Sequence, residues 1–219
     1  MNLIRIAIDG PSGAGKSTIA KEVARALGID YIDTGAMYRA VGYKMIREQV
    51  LPENLIALEK LLDKTQIDFK NGRTFLDGED VSDVIRTSQV SRMASACSAL
   101  SVVREKLVEM QREMGRHKSV IMDGRDIGTN VFPNAEIKFF ITATDEERAR
   151  RRYLELVEKG EKVDYSQVLS DMRERDYNDS TRVLNPLKKA EDALLLDTTQ
   201  MTIREVVTRI MEEINQWQQ

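Results

Sequence analysis

The chain reads as an α/β protein: a five-stranded parallel sheet with helices on both faces, interrupted by an inserted antiparallel β subdomain. Three observations predict this. Short apolar segments recur along the chain, each followed by helical sequence, as expected of strands buried on both sides and joined by crossover helices. The last segment carries the 3.6-residue apolar period of a packed helix, through Ile203, Val206, Val207, Ile210, Met211 and Ile214. One stretch, from about Val50 to Val90, breaks the pattern with an antiparallel hairpin signal, which does not belong inside a parallel sheet.

Taken in order, the first strand is the apolar run Leu3–Asp9, and the first helix follows the loop Gly10–Ser17. The other parallel strands are Tyr31–Asp33, Val120–Asp123, Ile137–Thr142 and Ala193–Asp197, all expected to be buried. In the inserted stretch Asn71-Gly72 separates 66–70 from 73–77, a strong hairpin signal, and Gly78–Val81 adds another turn and short strand. Thr144-Asp145-Glu146-Glu147 and Thr202-Ile203-Arg204-Glu205 fit capping boxes that start helices. A second interruption, 146–182, is helical and crowded with charge.

Composition bounds the function. At 219 residues and 42% hydrophobic, one sizeable core is expected. The net charge of −3 argues against a dedicated nucleic-acid binder, and 5% aromatic content leaves little for stacking bases. Cys97 stands alone among small residues, which excludes an internal disulfide and suits a buried thiol. His117, the only histidine, sits in a charged turn and is expected to be exposed. Met93, Met110, Met114 and Met122 fall in apolar patterns as core filler. The first strand starts close to Met1, so no signal peptide is expected, and no apolar run is long enough for a bilayer. A cytoplasmic monomer without membrane or nucleic-acid partners is the expectation.

The chemistry is concentrated in Gly10-Pro11-Ser12-Gly13-Ala14-Gly15-Lys16-Ser17, with Thr18 continuing into the helix. The segment fits G-x-x-x-x-G-K-[ST] between a strand and a helix. Its glycines let several backbone N–H groups face one anion, and the helix adds its positive dipole end. Lys16 is placed for the β- and γ-phosphates of a nucleotide, and the Ser17 hydroxyl for Mg²⁺. A GTPase would carry an Asn-Lys-x-Asp motif, and there is none. A motor-type ATPase would end a strand with an acidic pair; here the third strand runs into Asp123-Gly124-Arg125-Asp126. Ligands of open α/β sheets bind at the carboxyl ends of strands. Both that segment and Asp33-Thr34-Gly35-Ala36-Met37-Tyr38-Arg39 are therefore expected to open onto the phosphate loop. An arginine in each suits a second phosphate. Asp33 is open to two readings, a water-mediated contact to Mg²⁺ or a cap on the next turn.

These motifs, with Gly78-Glu79-Asp80-Val81-Ser82, Ile85-Arg86-Thr87, Val131-Phe132-Pro133 and Arg173-Glu174-Arg175-Asp176, strongly resemble the bacterial cytidylate kinases, P-loop kinases of the nucleoside monophosphate kinase group. The resemblance runs through essentially the whole chain. It implies one kinase domain over 1–219, with a monophosphate-binding subdomain at about 40–100 and a helical lid at about 146–182. It implies transfer of the ATP γ-phosphate to CMP or dCMP with Mg²⁺. By the same resemblance Arg39 and Arg125 act on the phosphates; Lys16 joins them from the phosphate loop, and of the lid arginines Arg152 is taken as the catalytic one. Thr34, Arg104 and Asp126 read cytosine, with Arg182 close by and Tyr38 lining the pocket. Ser95, Arg175 and Asp179 contact ribose. Many relatives have Ser where Thr34 stands, which keeps the hydroxyl.

The residue types suit the reaction. Phosphoryl transfer needs positioning and charge neutralisation rather than a protein nucleophile, and the acceptor phosphate is already ionised. A carboxylate at Asp126 accepts from the cytosine amine and repels the uracil carbonyl. The run Glu146–Arg152 has two readings: a solvated helix face with pairs Glu146–Arg150 and Glu147–Arg151, or a lid in which Arg148, Arg151 or Arg152 meets ATP. Three other functions remain to be separated: a kinase for another acceptor such as UMP, a nucleotide-switched ATPase, and a nucleic-acid 5′-kinase.

Overall fold

A computed structural model describes residues 3–217. In chain order its elements are β1 (Arg5–Asp9), α1 (Lys16–Leu27), β2 (Asp30–Asp33), α2 (Thr34–Arg47), α3 (Leu55–Asp63), β3 (Ile67–Lys70), β4 (Arg73–Leu76), β5 (Glu79–Asp80), α4 (Ser88–Cys97), α5 (Ser101–Met114), β6 (Val120–Gly124), β7 (Ile137–Thr142), α6 (Asp145–Glu158), α7 (Tyr165–Thr181), β8 (Leu194–Asp197) and α8 (Ile203–Trp217). The chain divides into two compact units: one joins the segment up to Tyr31 with everything from Lys118 onward, the other is Ile32–His117.

The first unit is built on a five-stranded sheet of order β2-β6-β1-β7-β8, in which β1 pairs in parallel with β6 and β7, and β7 with β8. Ile6, Ile8, Ile121, Phe139 and Ile141 bury one face of the central strands against Ile19, Ala20 and Val23 of α1 and Val206, Ile210 and Ile214 of α8. The opposite face is buried too, since Ala7 and Met122 are fully covered. The sense of the connections reverses at β1, with both of its neighbours still parallel to it: the connection leaving β1 leads to β2 on one side, and the one leaving β6 leads to β7 on the other. That reversal opens a crevice at the carboxyl end of β1, where the glycine loop begins. The α8 box is reciprocal, with Glu205 N–H on Thr202 Oγ1 at 3.3 Å and Thr202 N–H on Glu205 Oε2 at 2.8 Å. Helices α6 and α7 pack together on a small core of Ala149, Leu156, Val168 and Met172.

The second unit carries the expected hairpin. β3 and β4 pair antiparallel with Lys70 opposite Arg73, and Asn71 and Gly72 both have positive φ (52° and 73°), the backbone of a two-residue hairpin turn. Asp77 and Gly78 repeat the device and return the chain as β5. Buried Lys44 of α2 pairs with Asp77 at 2.6 Å and donates to Lys64 O at 3.1 Å, tying helix to hairpin.

Three expectations are corrected. β8 is not buried: it is an edge strand with one neighbour, and Leu194 and Leu195 are 42% and 59% exposed. Of the four methionines read as core, only Met122 is buried; Met93, Met110 and Met114 are half-buried on helices α4 and α5. On α6 the Glu147–Arg151 pair forms at 2.9 Å, but Arg150 turns to Glu147, and Glu146 is taken by Arg173 of α7 at 2.8 Å.

Cys97 is buried on α4, and burial pushes its thiol up to about 12. Iodoacetamide is therefore expected to leave native protein unmodified at neutral pH and to label Cys97 fully in denaturant. Rapid labelling of the native state would contradict this packing. Among the described residues, no helix is long and apolar enough to cross a membrane.

Candidate active site

The phosphate loop begins at Gly10, where only glycine fits: φ is +149°, and a Cβ would lie 1.9 Å from the Ile141 carbonyl oxygen. Lys16 folds back, its Nζ donating to Pro11 O at 2.6 Å. Burial chiefly, and then the charge of Arg125, bring Lys16 down to about 7, against the pull of Asp123 and Asp9. A bound polyanion would reverse that shift, because it supplies the countercharge the buried ammonium lacks.

Ser17 Oγ donates to Asp123 Oδ2 at 2.8 Å, and Tyr31 Oη donates to Asp123 Oδ1 at 2.7 Å. A hydroxyl beside a carboxylate at the end of a neighbouring strand is the donor set that Mg²⁺ takes in P-loop proteins, the rest of its shell being water and phosphate oxygens. The residues present thus fit the metal.

The loop is also gripped from α6 and α7. Ser12 N–H donates to Asp176 Oδ1 at 3.0 Å, Arg148 Nη1 donates to Ser12 O at 2.8 Å, and Arg148 and Asp176 pair with each other. Arg148 further donates to Ala143 O at 3.0 Å and pairs with Asp145 at 2.5 Å, so each of its three guanidinium nitrogens has a partner. Arg151 donates to Thr198 O at 2.6 Å, and Arg152 pairs with Glu155 at 2.8 Å.

Four sequence-selected residues of the first unit form one network. Arg125 Nε meets Asp179 Oδ2 at 2.8 Å, Arg182 Nη1 lies 3.7 Å from Asp179 Oδ1, and Arg182 Nη2 donates to Asp126 Oδ1 at 3.2 Å. Burial opposes the ionised form of Asp179 most, but Arg125, Arg175 and Arg182 together hold its carboxyl below the usual range. Burial likewise works against the charge of Arg125, and Asp179, Asp176 and Asp123 more than restore it. Asp126 starts a single π-helical turn, Ile127–Val131, and its Oδ2 accepts from Asn130 Nδ2 at 3.1 Å. Such turns are frequent at functional sites.

In the second unit, Asp33 caps α2: Oδ1 accepts from Ala36 N–H at 2.8 Å, and Oδ2 pairs with Arg39 at 3.0 Å. Of the two readings of Asp33, the structure displays the cap. Arg39 Nε is buried without a hydrogen-bond partner. Arg104 is 2% exposed, donates to Ser98 O at 3.2 Å and lies 5.7 Å from the Tyr38 ring centroid. Thr34 is buried at the start of α2, and Ser95 is half-buried on α4.

Sequence reasoning missed Asp123 as the partner of Ser17, Tyr31 behind it, and Asp176 and Arg148 on Ser12. Asp123 had a usable signal: it ends a strand just before Arg125, and strands adjoining β1 end beside the phosphate loop. The contacts of Asp176, Arg148 and Tyr31 had none, because they depend on how distant elements meet.

The cytidylate kinase family model matches residues 6–216. The chain is 53% identical over 216 residues to the cytidylate kinase of Caldicellulosiruptor bescii, covering 97% of this chain and 96% of that protein. It is 50% identical over 214 residues to the cytidylate kinase of Clostridioides difficile, covering 98% and 99%. Among solved structures, the shikimate kinase of Acinetobacter baumannii in complex with shikimate superposes with a TM-score of 0.52 at 16% identity, covering 98% of this chain and 94% of that one. The shikimate kinase of Bacteroides thetaiotaomicron gives 0.51 at 15%, covering 98% and 99%. At that identity the two structures establish the fold, whereas the family match and the half-identical relatives establish descent: the chain belongs to the cytidylate kinase family.

Proposed function

We propose that the residues described above divide the work of a cytidylate kinase, transferring the γ-phosphate of ATP to CMP or dCMP to give ADP and CDP or dCDP. The observation that carries this reading is the Arg125–Asp179–Arg182–Asp126 network in the unit that also holds the phosphate loop. It combines cations for phosphate with carboxylates that suit a base and a sugar.

The loop from Gly10 to Ser17, followed by Thr18, holds the triphosphate through backbone N–H groups. Lys16 neutralises the transferring phosphoryl group. Ser17 and Asp123 hold Mg²⁺, which when bound offsets charge on the phosphates. Arg125 and Arg39 take the acceptor phosphate, and the unpartnered Nε of Arg39 suits an incoming anion. Asp126, with Thr34 and Arg104, reads cytosine; Tyr38 and Arg182 support that set, and Ser95, Arg175 and Asp179 serve the ribose. Arg152 is the lid arginine assigned to ATP. Its partner Glu155 lies on its own helix and is released at little cost, whereas Arg148 is committed to Ser12 and Asp176. Residues 146–182 act as the lid and about 40–100 as the monophosphate-binding subdomain of one kinase domain.

The test is ADP release from Mg-ATP with CMP, dCMP, UMP, AMP, GMP and dTMP offered separately. CMP and dCMP are expected to turn over well above the rest. A different favoured monophosphate would remove the cytosine assignment. ATP binding without acceptor-dependent turnover would point to a nucleotide-switched ATPase.

A further inference from the structure

The π-helical turn that starts at Asp126 is held from outside. Its first N–H groups, like those of any helical turn, have no acceptor within it. The Asp9 side chain, at the carboxyl end of β1, takes two of them: Ile127 N–H donates to Oδ1 at 2.8 Å and Gly128 N–H to Oδ2 at 2.7 Å. Asp9 is 3% exposed, so these bonds are shielded from bulk solvent. Gly128 makes the approach possible, since a Cβ there would stand 3.3 Å from Asp9 Oδ2 and 3.1 Å from Lys138 Cδ. One side chain thus fixes both peptide groups that follow Asp126, and it immediately precedes Gly10.

Burial chiefly pushes the Asp9 carboxyl up to about 6, with the two N–H donors and Lys16 opposing and Asp126 adding to the rise. At neutral pH the ionised form still prevails, and it is the form that accepts strongly through both oxygens.

We propose that Asp9 is a positioning residue for acceptor selection: by clamping Ile127 and Gly128 it fixes the carboxylate of Asp126 for the nucleobase. The inference rests on the reading of Asp126 as the group that meets the base. Both Asp9 oxygens are taken up by the Ile127 and Gly128 N–H groups, so its part is to position Asp126. Asp9→Asn keeps the shape but turns an amide donor toward one of the two N–H groups, so one bond is lost and two donors face each other. Asp126 then keeps its charge but not its aim.

The experiment measures kcat and KM for CMP and for UMP at saturating ATP in wild type, D9N, D126A and the double variant, with the ATP dissociation constant measured separately. D9N is expected to lower the ratio of kcat/KM for CMP to that for UMP by about 10- to 100-fold, the scale of a lost bond to a charged group. The loss should appear in the KM for CMP, with the ATP dissociation constant unchanged. The double variant should show no lower a ratio than D126A, because Asp9 acts through Asp126. A wild-type ratio in D9N, or a fall that persists on top of D126A, overturns the positioning role. A wild-type ratio in D126A overturns the base-reading assignment instead. If D9N does not fold, Gly128→Ala carries the test: it pushes the same pair apart from the other side and should lower the ratio. An unchanged ratio in folded G128A overturns the proposal.

Discussion

Arg125→Ala is expected to lower kcat with CMP by about 10³- to 10⁵-fold, the range seen when an arginine that meets a transferring phosphoryl group is removed. The electrostatics make the case. Arg125 is largely buried at 18% side-chain exposure, and its charge is one of the two largest influences lowering Lys16. Two cations facing one small region repel each other until a polyanion lies between them. That repulsion is relieved most where phosphate charge is greatest, so with Lys16 and Arg125 in their proposed roles the pair is expected to favour the state in which donor and acceptor phosphates meet. The fold should survive the substitution. Asp179 keeps Arg182 within 3.7 Å and the charge of Arg175, and Lys16 loses a repulsive neighbour. Arg125→Lys restores charge without the planar fork and should recover only part of the rate. The measurement is kcat at saturating ATP and CMP, with circular dichroism to confirm folding. A folded R125A within tenfold of the wild-type rate, far short of the expected loss, would show that Arg125 only anchors Asp179.

What could be read in the sequence was what depends on neighbouring residues. The strand–loop–helix at Gly10–Ser17, the turn at Asn71-Gly72 and the box at Thr202–Glu205 are local geometry, and all three form. Strand order is not local. Nothing in the chain says that β1 lies between β6 and β7, and from that placement come Asp123 beside Ser17 and Asp9 beneath Ile127. Apolar character misled at β8, because an edge strand of Leu194-Leu195-Leu196 resembles a central one until its missing neighbour is known. The charge pattern of α6 misled for a related reason: an i,i+4 partner gives only a few tenths of a kcal/mol, and Arg173 on α7 competes successfully for Glu146. Arg125 and Asp126 stand together in one motif, and Asp179 and Arg182 are named by the resemblance alone; their pairing across β6 and α7 is not legible in the sequence, and the structure joins the four into one network.

That network sets the terms of the second large effect. Asp126→Ala is expected to lower the preference for CMP over UMP by about 10- to 100-fold, corresponding to about 1–3 kcal/mol for a base-edge contact. The carboxylate is buried, with Arg182 on one oxygen and Asn130 on the other, and the peptides that follow it are held by Asp9, so side chain and backbone together preset it before any nucleotide arrives. A preset acceptor pairs with the exocyclic amine of cytosine and opposes the carbonyl that uracil puts in the same place. Alanine removes both the attraction and the repulsion, so CMP should weaken while UMP improves or holds. Asp126→Asn is the sharper variant, because an amide turns either its oxygen or its nitrogen toward the base and should let both nucleotides in. The ratio of CMP to dCMP should stay at its wild-type value in both variants, since the sugar is assigned to Ser95, Arg175 and Asp179. Steady-state kcat/KM for CMP, dCMP and UMP in the three proteins separates the cases. A shift in the CMP:dCMP ratio instead of the CMP:UMP ratio would move Asp126 from the base to the ribose. A preference unchanged in both ratios would place base recognition elsewhere and leave Asp126 a structural role, of which its bonds to Arg182 and Asn130 are part.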